Sequence, residues 1–124
     1  MIDGIAGATD ALEISINHGE KGSILRLRGR INLDSSPAFR DQLLAMLQAQ
    51  SPPAVIVDVS DVSYMDGSGL ATLIEGLKIA LQRHTTLCVH GLQGRLLHLF
   101  EVSGLSTLFE KNGCGAASSE SKVS

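Results

Sequence analysis

The order of strand-like and helix-like segments predicts an α/β protein, with a mixed sheet of four to five strands, an initial β-hairpin and helices packed against the sheet. Two segments with alternating apolar residues come first, LEISINHG from Leu12 and GSILRLRGRI from Gly22, and a charged turn separates them. Helix-like and strand-like segments then alternate along the chain, which is typical of sheets with parallel strands. The 124 residues, of which 44% are hydrophobic, suffice for one domain with its own core.

The segments after the hairpin have clear helical and strand patterns. Ser36 before Pro37 predicts an N-cap and a helix over SPAFRDQLLAMLQ. The β-branched run AVIVDVSDV, residues 54–62, predicts a central strand that is covered on both faces. The helix that follows is expected to bury one stripe of apolar side chains, namely Leu70, Leu73, Ile74, Leu77 and Leu81.

Three further segments complete the predicted domain. TTLCVHG predicts a buried strand, and STLFE predicts a short edge strand or turn. Between them, LQGRLLHLFEVSGL predicts a third helix that ends at Gly104. Its inward residues are expected to be Leu96, Leu97, Leu99 and Phe100.

Composition suggests how the chain is organised and where it acts. Residues 1–10 are expected to form a flexible N-terminus, residues 11–112 the domain, and the Gly/Ser-rich residues 113–124 a disordered tail. The N-terminus carries acids where a secretory signal needs Lys or Arg, and no apolar stretch reaches the ~20 residues of a membrane span, so we expect a cytoplasmic protein without direct membrane insertion. The basic residues are scattered rather than clustered, which argues against nucleic acid as a partner.

The stretch YMDGSGLATLIEGL, residues 64–77, places small and polar residues where a strand passes into a helix. It falls short of three motifs that use such a junction. A dinucleotide fingerprint needs Gly or Ala where Thr72 stands, a phosphate-binding loop needs a Lys, and a nucleophile elbow needs a Gly at the place of Met65 or Asp66. No His is spaced to serve Ser68 as a base or to form a metal site with a Cys or carboxylate cluster, so we expect no catalytic residue, cofactor or metal ligand.

A simpler interpretation of the same junction is a helix start. Asp66 can accept hydrogen bonds from the free backbone N–H groups of the first turn, with its charge at the positive end of the helix dipole. This explains Asp66 and one glycine. It leaves Gly67 and Gly69 together unexplained, because glycine in a helix costs up to ~1 kcal/mol against alanine. A bare polar surface kept open for a partner accounts for both glycines.

These residues resemble the signature of STAS domains, above all the bacterial anti-sigma factor antagonists of the sporulation and stress-response type. The resemblance rests on AVIVDVSDVSYMDGSGLATLIEGL, on GRINLDSSPAFRDQL and on GRLLHLFEVSGLSTLF, and it extends over roughly residues 11–110. It implies a protein that is not an enzyme and that binds an anti-sigma factor of the GHKL serine-kinase type, which frees a sigma factor. The protein itself is expected to be a monomer or a weak dimer.

The resemblance also implies which residues act. The family's phosphorylated serine follows the Asp directly, and that position is Gly67 here, so Ser68 is the expected phosphorylation site. A second departure is Asn32, which stands where the family has an Asp. The expected partner-binding residues are Asn32, Ser35, Ser36, Asp66, Gly67, Ser68, Gly69 and Leu70.

One alternative keeps the same fold and changes the partner. STAS subunits of lipid-transport ABC complexes bind an ATPase and carry a hydroxyl in the same signature. The missing acceptor at Gly67 favours this alternative. The sequence does not choose between Ser68 as a phosphorylated switch and a domain that docks constitutively.

Overall fold

A computed structural model of the protein describes residues 12–19, 22–48 and 54–110. The elements run in the order β1 (Glu13–Gly19), β2 (Gly22–Ile31), α1 (Ser36–Gln48), β3 (Ala54–Met65), α2 (Gly67–Gln82), β4 (Thr86–His90), α3 (Gly94–Ser103) and α4 (Leu105–Phe109). The expected flexible N-terminus of residues 1–10 and disordered tail of residues 113–124 lie outside the described residues. No helix of the described ranges is long and apolar enough to cross a membrane.

The strands form one sheet in the order β1-β2-β3-β4. β1 is antiparallel to β2, whereas β3 is parallel to both β2 and β4. The α/β class, the mixed sheet with its initial hairpin and the helices packed against it are thereby confirmed, with four strands in the part of the chain that is described. In the hairpin, Ile14 lies opposite Leu27 and Ile16 opposite Leu25, so the apolar positions of both strands share one face.

The core lies between that face of the sheet and the helices. Its side chains are aliphatic or methionine, apart from three phenylalanines: Phe39 on α1, Phe100 on α3 and Phe109 on α4. Its fully buried side chains include Leu25, Leu27, Ile31, Phe39, Leu43, Leu47, Val55, Val57, Leu73, Leu87, Phe100 and Leu105.

β3 lies between β2 and β4, which confirms the predicted central strand, but its buried residues other than Met65 end at Val59 and its second face is not wholly apolar. Val57 and Val59 are buried, but Asp58 between them points to the opposite face, since successive side chains of a strand alternate. There its carboxylate accepts hydrogen bonds from Ser60 N–H and from Arg26 Nε, at 2.9 and 3.2 Å. Burial acts to raise the pKa of Asp58, but the bonds from Ser60 and Arg26 outweigh it and hold the pKa below its usual value. An ion pair therefore occupies the second face.

Helix α2 buries a different stripe from the predicted one. Leu73 and Leu77 are buried as expected, but Ile74 is 36% exposed and Leu81 is 55% exposed. The inward positions between the leucines are small, namely Gly69, Thr72, Gly76 and Ala80. A Cβ added at Gly76 would lie 2.7 Å from Leu43 Cδ2, so α1 and α2 approach closely along this stripe.

An ion pair on the surface reinforces the contact between these two helices. Arg40 on α1 donates from Nε and Nη2 to the two carboxylate oxygens of Glu75 on α2, at 2.7 and 2.8 Å. The hydrogen bond from Arg40 lowers the pKa of Glu75. Both side chains are about half exposed, so the pair adds little to stability.

The C-terminal part of the domain differs from the prediction in one element. Gly104 ends α3 with a φ of 82°, as expected, and of the predicted inward residues of α3 only Phe100 is fully buried. The segment STLFE forms the end of helix α4, with Glu110 as its C-cap, rather than an edge strand or turn. Leu105 and Phe109 lie one turn apart on its buried face, and the ring centroids of Phe109 and Phe100 are 6.2 Å apart.

Replacing Phe109 by alanine tests whether α4 closes the core. Phe109→Ala should lower the free energy of unfolding by about 3 kcal/mol, because it removes a buried ring and leaves a cavity beside Phe100. The matched control is Leu108→Ala, since Leu108 is 46% exposed and its truncation should change stability by less than about 0.5 kcal/mol. Urea denaturation gives both values, and equal losses would contradict the packing of α4.

Candidate functional site

Two turns of the chain meet at the carboxyl ends of β2 and β3. Ile31 and Met65 are partners in the parallel register, and Asp66 N–H donates a 3.1 Å hydrogen bond to the Ile31 carbonyl. The turn after β2, residues 32–35, and the start of α2, residues 66–70, are therefore neighbours. We refer to them as the β2 turn and the helix tip. In α/β sheets, binding sites collect at this end of parallel strands.

Asp66 is the N-cap of α2, as the sequence predicts. Its Oδ1 accepts hydrogen bonds from Ser68 N–H at 2.9 Å and from Ser68 Oγ at 2.5 Å. Its backbone carbonyl accepts from the N–H groups of Gly69 and Leu70 at 3.1 and 3.2 Å. The hydrogen bond from the Ser68 hydroxyl lowers the pKa of Asp66, so the carboxylate stays charged at neutral pH beside the positive end of the helix.

The two glycines of the helix tip have different reasons to be glycine. Gly69 is buried, and a Cβ there would lie 2.5 Å from Met65 Cγ and 2.8 Å from Ile31 Cγ2. Gly67 is exposed, and a Cβ there would meet no atom within 4 Å. Packing against the sheet explains Gly69, whereas nothing in the described fold requires the absence of a side chain at Gly67.

The β2 turn is held together by its own side chains. Asn32 Oδ1 accepts from the N–H groups of Asp34 and Ser35 at 3.0 and 3.1 Å. Ser35 Oγ accepts from Asn32 N–H at 3.0 Å and donates to the Arg30 carbonyl at 2.8 Å. The uncharged Asn32 therefore organises a turn whose backbone is rigid before any partner arrives.

The N-cap predicted at Ser36 is wrong by one residue. The Ser35 carbonyl accepts the first bonds of α1, from Ala38 and Phe39 at 3.2 and 3.3 Å, so Ser35 occupies the cap position and Ser36 is the first helical residue. Ser36 is buried with 8% exposure. The Ser35 hydroxyl serves the turn, which shifts the start of the helix toward the strand.

The accessible part of the site contains a residue that the motifs do not point to. Leu33, in the middle of the β2 turn, is 77% exposed. Gly67 is exposed, Asp66 and Ser68 are half-buried, and Leu70 is half-buried against the core. The surface is thus a bare helix tip beside one projecting leucine. An apolar residue between polar neighbours in a turn was the signal that could have drawn attention to Leu33.

The helix tip offers one carboxylate and one hydroxyl, and the β2 turn adds the exposed carboxylate of Asp34. Ser68 Oγ donates to Asp66, while Thr72 Oγ1 donates to the Ser68 carbonyl at 3.0 Å one turn further on. No group of three or more His, Cys, Asp or Glu side chains in the described ranges could hold a metal ion.

Comparison with known proteins identifies the family. The family model described as "Mlab, STAS domain" matches residues 14–110. A protein named anti-sigma-B factor antagonist from Listeria monocytogenes is 34% identical over 82 residues, which are 66% of this chain and 71% of the relative. The chain belongs to the STAS domain family.

Solved structures share the fold at lower sequence identity. An anti-sigma factor antagonist from Mycobacterium paratuberculosis matches with a TM-score of 0.72 at 23% identity, over 79% of this chain and 82% of that one. The Bacillus cell fate determinant SpoIIAA in its phosphorylated form matches with a TM-score of 0.63 at 15% identity, over 79% of this chain and 87% of that one.

The contrast between the two glycines gives a direct test of the helix tip. Gly69→Ala should destabilise the domain by about 1–3 kcal/mol, because Met65 and Ile31 must move to admit the methyl group. Gly67→Ala should leave stability unchanged or raise it by up to about 1 kcal/mol, because its site is open and alanine favours helix. Thermal or urea unfolding distinguishes these outcomes, and a larger loss at Gly67 would contradict the geometry.

The lowered pKa of Asp66 predicts a loss of stability in acid. The folded state favours the charged form of Asp66, which therefore adds to the free energy of unfolding. This contribution is complete above the unfolded pKa of about 3.9 and disappears as the pH falls through the folded pKa. Asp66→Asn keeps an N-cap acceptor but cannot titrate. The stability difference between wild type and Asp66→Asn, measured by urea unfolding from pH 7 down to pH 3, should shrink with acid. A constant difference would show that Asp66 is not stabilised as the anion.

Proposed function

We propose that this chain is an anti-sigma factor antagonist, which binds an anti-sigma factor and thereby releases a sigma factor. The observation that carries the proposal is the exposed helix tip with its open Gly67, next to a β2 turn that is held by hydrogen bonds from its own side chains. Such a surface binds with little loss of conformational entropy. The antagonist name of the Listeria relative supports the same function.

The proposed partner is an anti-sigma factor of the GHKL serine-kinase type in the cytoplasm, and the protein itself is proposed to be a monomer or weak dimer that performs no catalysis. The docking face consists of the β2 turn and the helix tip. Within it, Leu33, Gly67 and the half-buried Asp66 and Ser68 offer the accessible contacts. The other members support this surface, because Asn32 and Ser35 fix the turn while Ser36, Gly69 and Leu70 pack inward.

Ser68 is the proposed phosphoacceptor. It carries the hydroxyl of the helix tip, and Asp66 Oδ1, 2.5 Å from Ser68 Oγ, is placed to accept the proton that the hydroxyl gives up. That SpoIIAA has been solved in a phosphorylated form is in keeping with modification of a domain of this fold. A phosphate at Ser68 would add about −1.5 to −2 charge beside a carboxylate that is already ionised. Phosphorylation is therefore proposed to weaken docking.

A second candidate function is that of a STAS subunit bound to the ATPase of a lipid-transport complex. The observation that favours it is Gly67, which has no hydroxyl at the family's acceptor position although the site has room for one. In this case Ser68 serves only the helix start, and the same face docks constitutively.

A charge placed at Gly67 tests the docking face without disturbing the fold. Gly67→Asp should weaken binding to the anti-sigma factor encoded in the same genome at least about tenfold, because it desolvates a charge in the interface. It should not lower stability, since an acid in the first turn of a helix is favourable. The matched control is Ala45→Asp, on the exposed side of α1. Calorimetry that detects no binding by the wild type, with binding to the transporter ATPase instead, would favour the second candidate.

Incubation with the kinase and ATP tests the acceptor. Wild type should incorporate one phosphate that Ser68→Ala does not. Gly67→Ser restores the family's acceptor and serves as the positive control, because a side chain at position 67 meets no atom within 4 Å. If the wild type stays unmodified while Gly67→Ser is phosphorylated, Ser68 is not an acceptor and the domain docks without this switch.

A further inference from the structure

β3 extends beyond β4 and leaves one of its edges without a strand partner among the described residues. β4 pairs with β3 only from Ala54 to Asp58, whereas β2 pairs with it as far as Met65. Along this second half of β3, Ser60, Asp61 and Ser63 are exposed. The backbone N–H and carbonyl of Ser60 already have partners in Asp58 and Gln93. Beyond Ser60, this edge of β3 has no strand partner among the described residues, and such an edge is able to pair with another extended chain.

A groove lies between this edge and helix α3. Its volume is about 610 Å³, and one wall is formed by β3 from Val62 to Met65. The other wall consists of Gln93, Arg95, Leu96, His98, Leu99 and Val102. Tyr64 and Val102 are 43% and 65% exposed, although both are large and largely apolar. Open apolar side chains therefore border an unpaired strand edge.

The polar groups of the groove favour negative charge. Arg95 and His98 make no hydrogen bond or ion pair with any other described residue. None of the residues that line the groove is acidic. Tyr64 is held in place from the β2 side by Arg30, whose guanidinium carbon stacks 4.4 Å from the ring centroid.

We propose that this groove binds an extended acidic segment of a partner protein, which adds as a strand along the free edge of β3. Backbone hydrogen bonds to the edge would provide affinity, and alternate side chains would provide specificity. Arg95 would pair with a carboxylate of the segment, and its apolar side chains would pack on Leu96, Leu99 and Val102. The free strand edge favours a peptide over a small anion, because a small anion leaves the edge unpaired.

This surface does not depend on the proposed antagonist function. Met65 forms part of one wall of the groove, and the next residue, Asp66, begins the helix tip. The groove and the helix tip therefore adjoin without sharing an exposed side chain. A variant of the groove should therefore leave docking at the helix tip intact, and the two proposals stand or fall separately.

NMR titration of the full chain tests the groove with a defined probe. The probe is a short peptide that alternates valine and glutamate, added up to about 1 mM, the concentration that half-saturates a site with a Kd of that size. Amide signals of residues 60–65 and of α3 should shift together. The same peptide with methylated backbone nitrogens should not bind, because it cannot donate to the strand edge. A peptide that alternates valine and lysine should bind at least about tenfold more weakly.

Two charge-matched variants locate the contact. Arg95→Glu should weaken binding of the acidic peptide at least about tenfold, because it replaces the pairing charge by a repelling one. Lys78→Glu makes the same change of charge on the exposed side of α2 and should leave binding unchanged. The proposal is overturned if residues 60–65 do not shift, if both variants weaken binding equally, or if the methylated peptide binds as well as the parent.

Discussion

The backbone hydrogen bond from Asp66 to Ile31 joins the start of α2 to the end of β2, and the position of the candidate site depends on it. It extends the parallel pairing of β2 with β3 by one step beyond Met65, so that both strands end at the same level. The side chains of Ile31 and Met65 then lie directly beneath Gly69. The Asp66–Ile31 hydrogen bond and the packing of Gly69 on the two side chains thus fix where α2 begins and how closely it packs on the sheet. Any residue with a side chain at position 69 would separate them.

The bond between Ser68 and Asp66 is not by itself a sign of function, because the chain contains the same arrangement elsewhere. Asp58 Oδ1 accepts from both Ser60 N–H and Ser60 Oγ, at 2.9 and 2.5 Å, as Asp66 Oδ1 does from Ser68. The pair on β3 satisfies a buried carboxylate in mid-sheet. The pair at the helix tip is distinguished by its setting, with an open position at Gly67 and an exposed Leu33 beside it.

Local signals allowed the larger part of the fold to be predicted from the sequence. The hairpin, the alternation of helices and strands, the Asp66 cap and the end of α3 at Gly104 all follow from residues next to one another in the chain. The errors arise where tertiary contacts decide. Apolarity alone placed Ile74 and Leu81 in the core, whereas the buried stripe includes Gly76, which packs against Leu43 of α1. Gly69 of the same stripe packs against the sheet.

The candidate site shows the same division between local and tertiary information. The motif identified the helix tip, but it could not separate Gly69, which the sheet requires, from Gly67, which the fold leaves free. Nor could it reveal that the Ser35 hydroxyl bonds to Asn32 and to the Arg30 carbonyl within the turn. The exposed Leu33 carries no motif. The free edge of β3 carries none either, because it arises from the difference in length between β3 and β4.

Charge explains why a phosphate at Ser68 would change the docking surface rather than simply cap the helix N-terminus alongside Asp66. The N-terminus of a helix offers the equivalent of about +0.5 charge. Under the proposed modification it would face an ionised Asp66 together with about −1.5 to −2 from the phosphate. The phosphate would also replace the hydroxyl hydrogen that now bonds to Asp66 and lowers its pKa. The helix cannot neutralise both groups, so one of them must leave the cap. A modified helix tip would therefore differ from the unmodified one in charge and in hydrogen bonding, at the surface where the partner is proposed to dock.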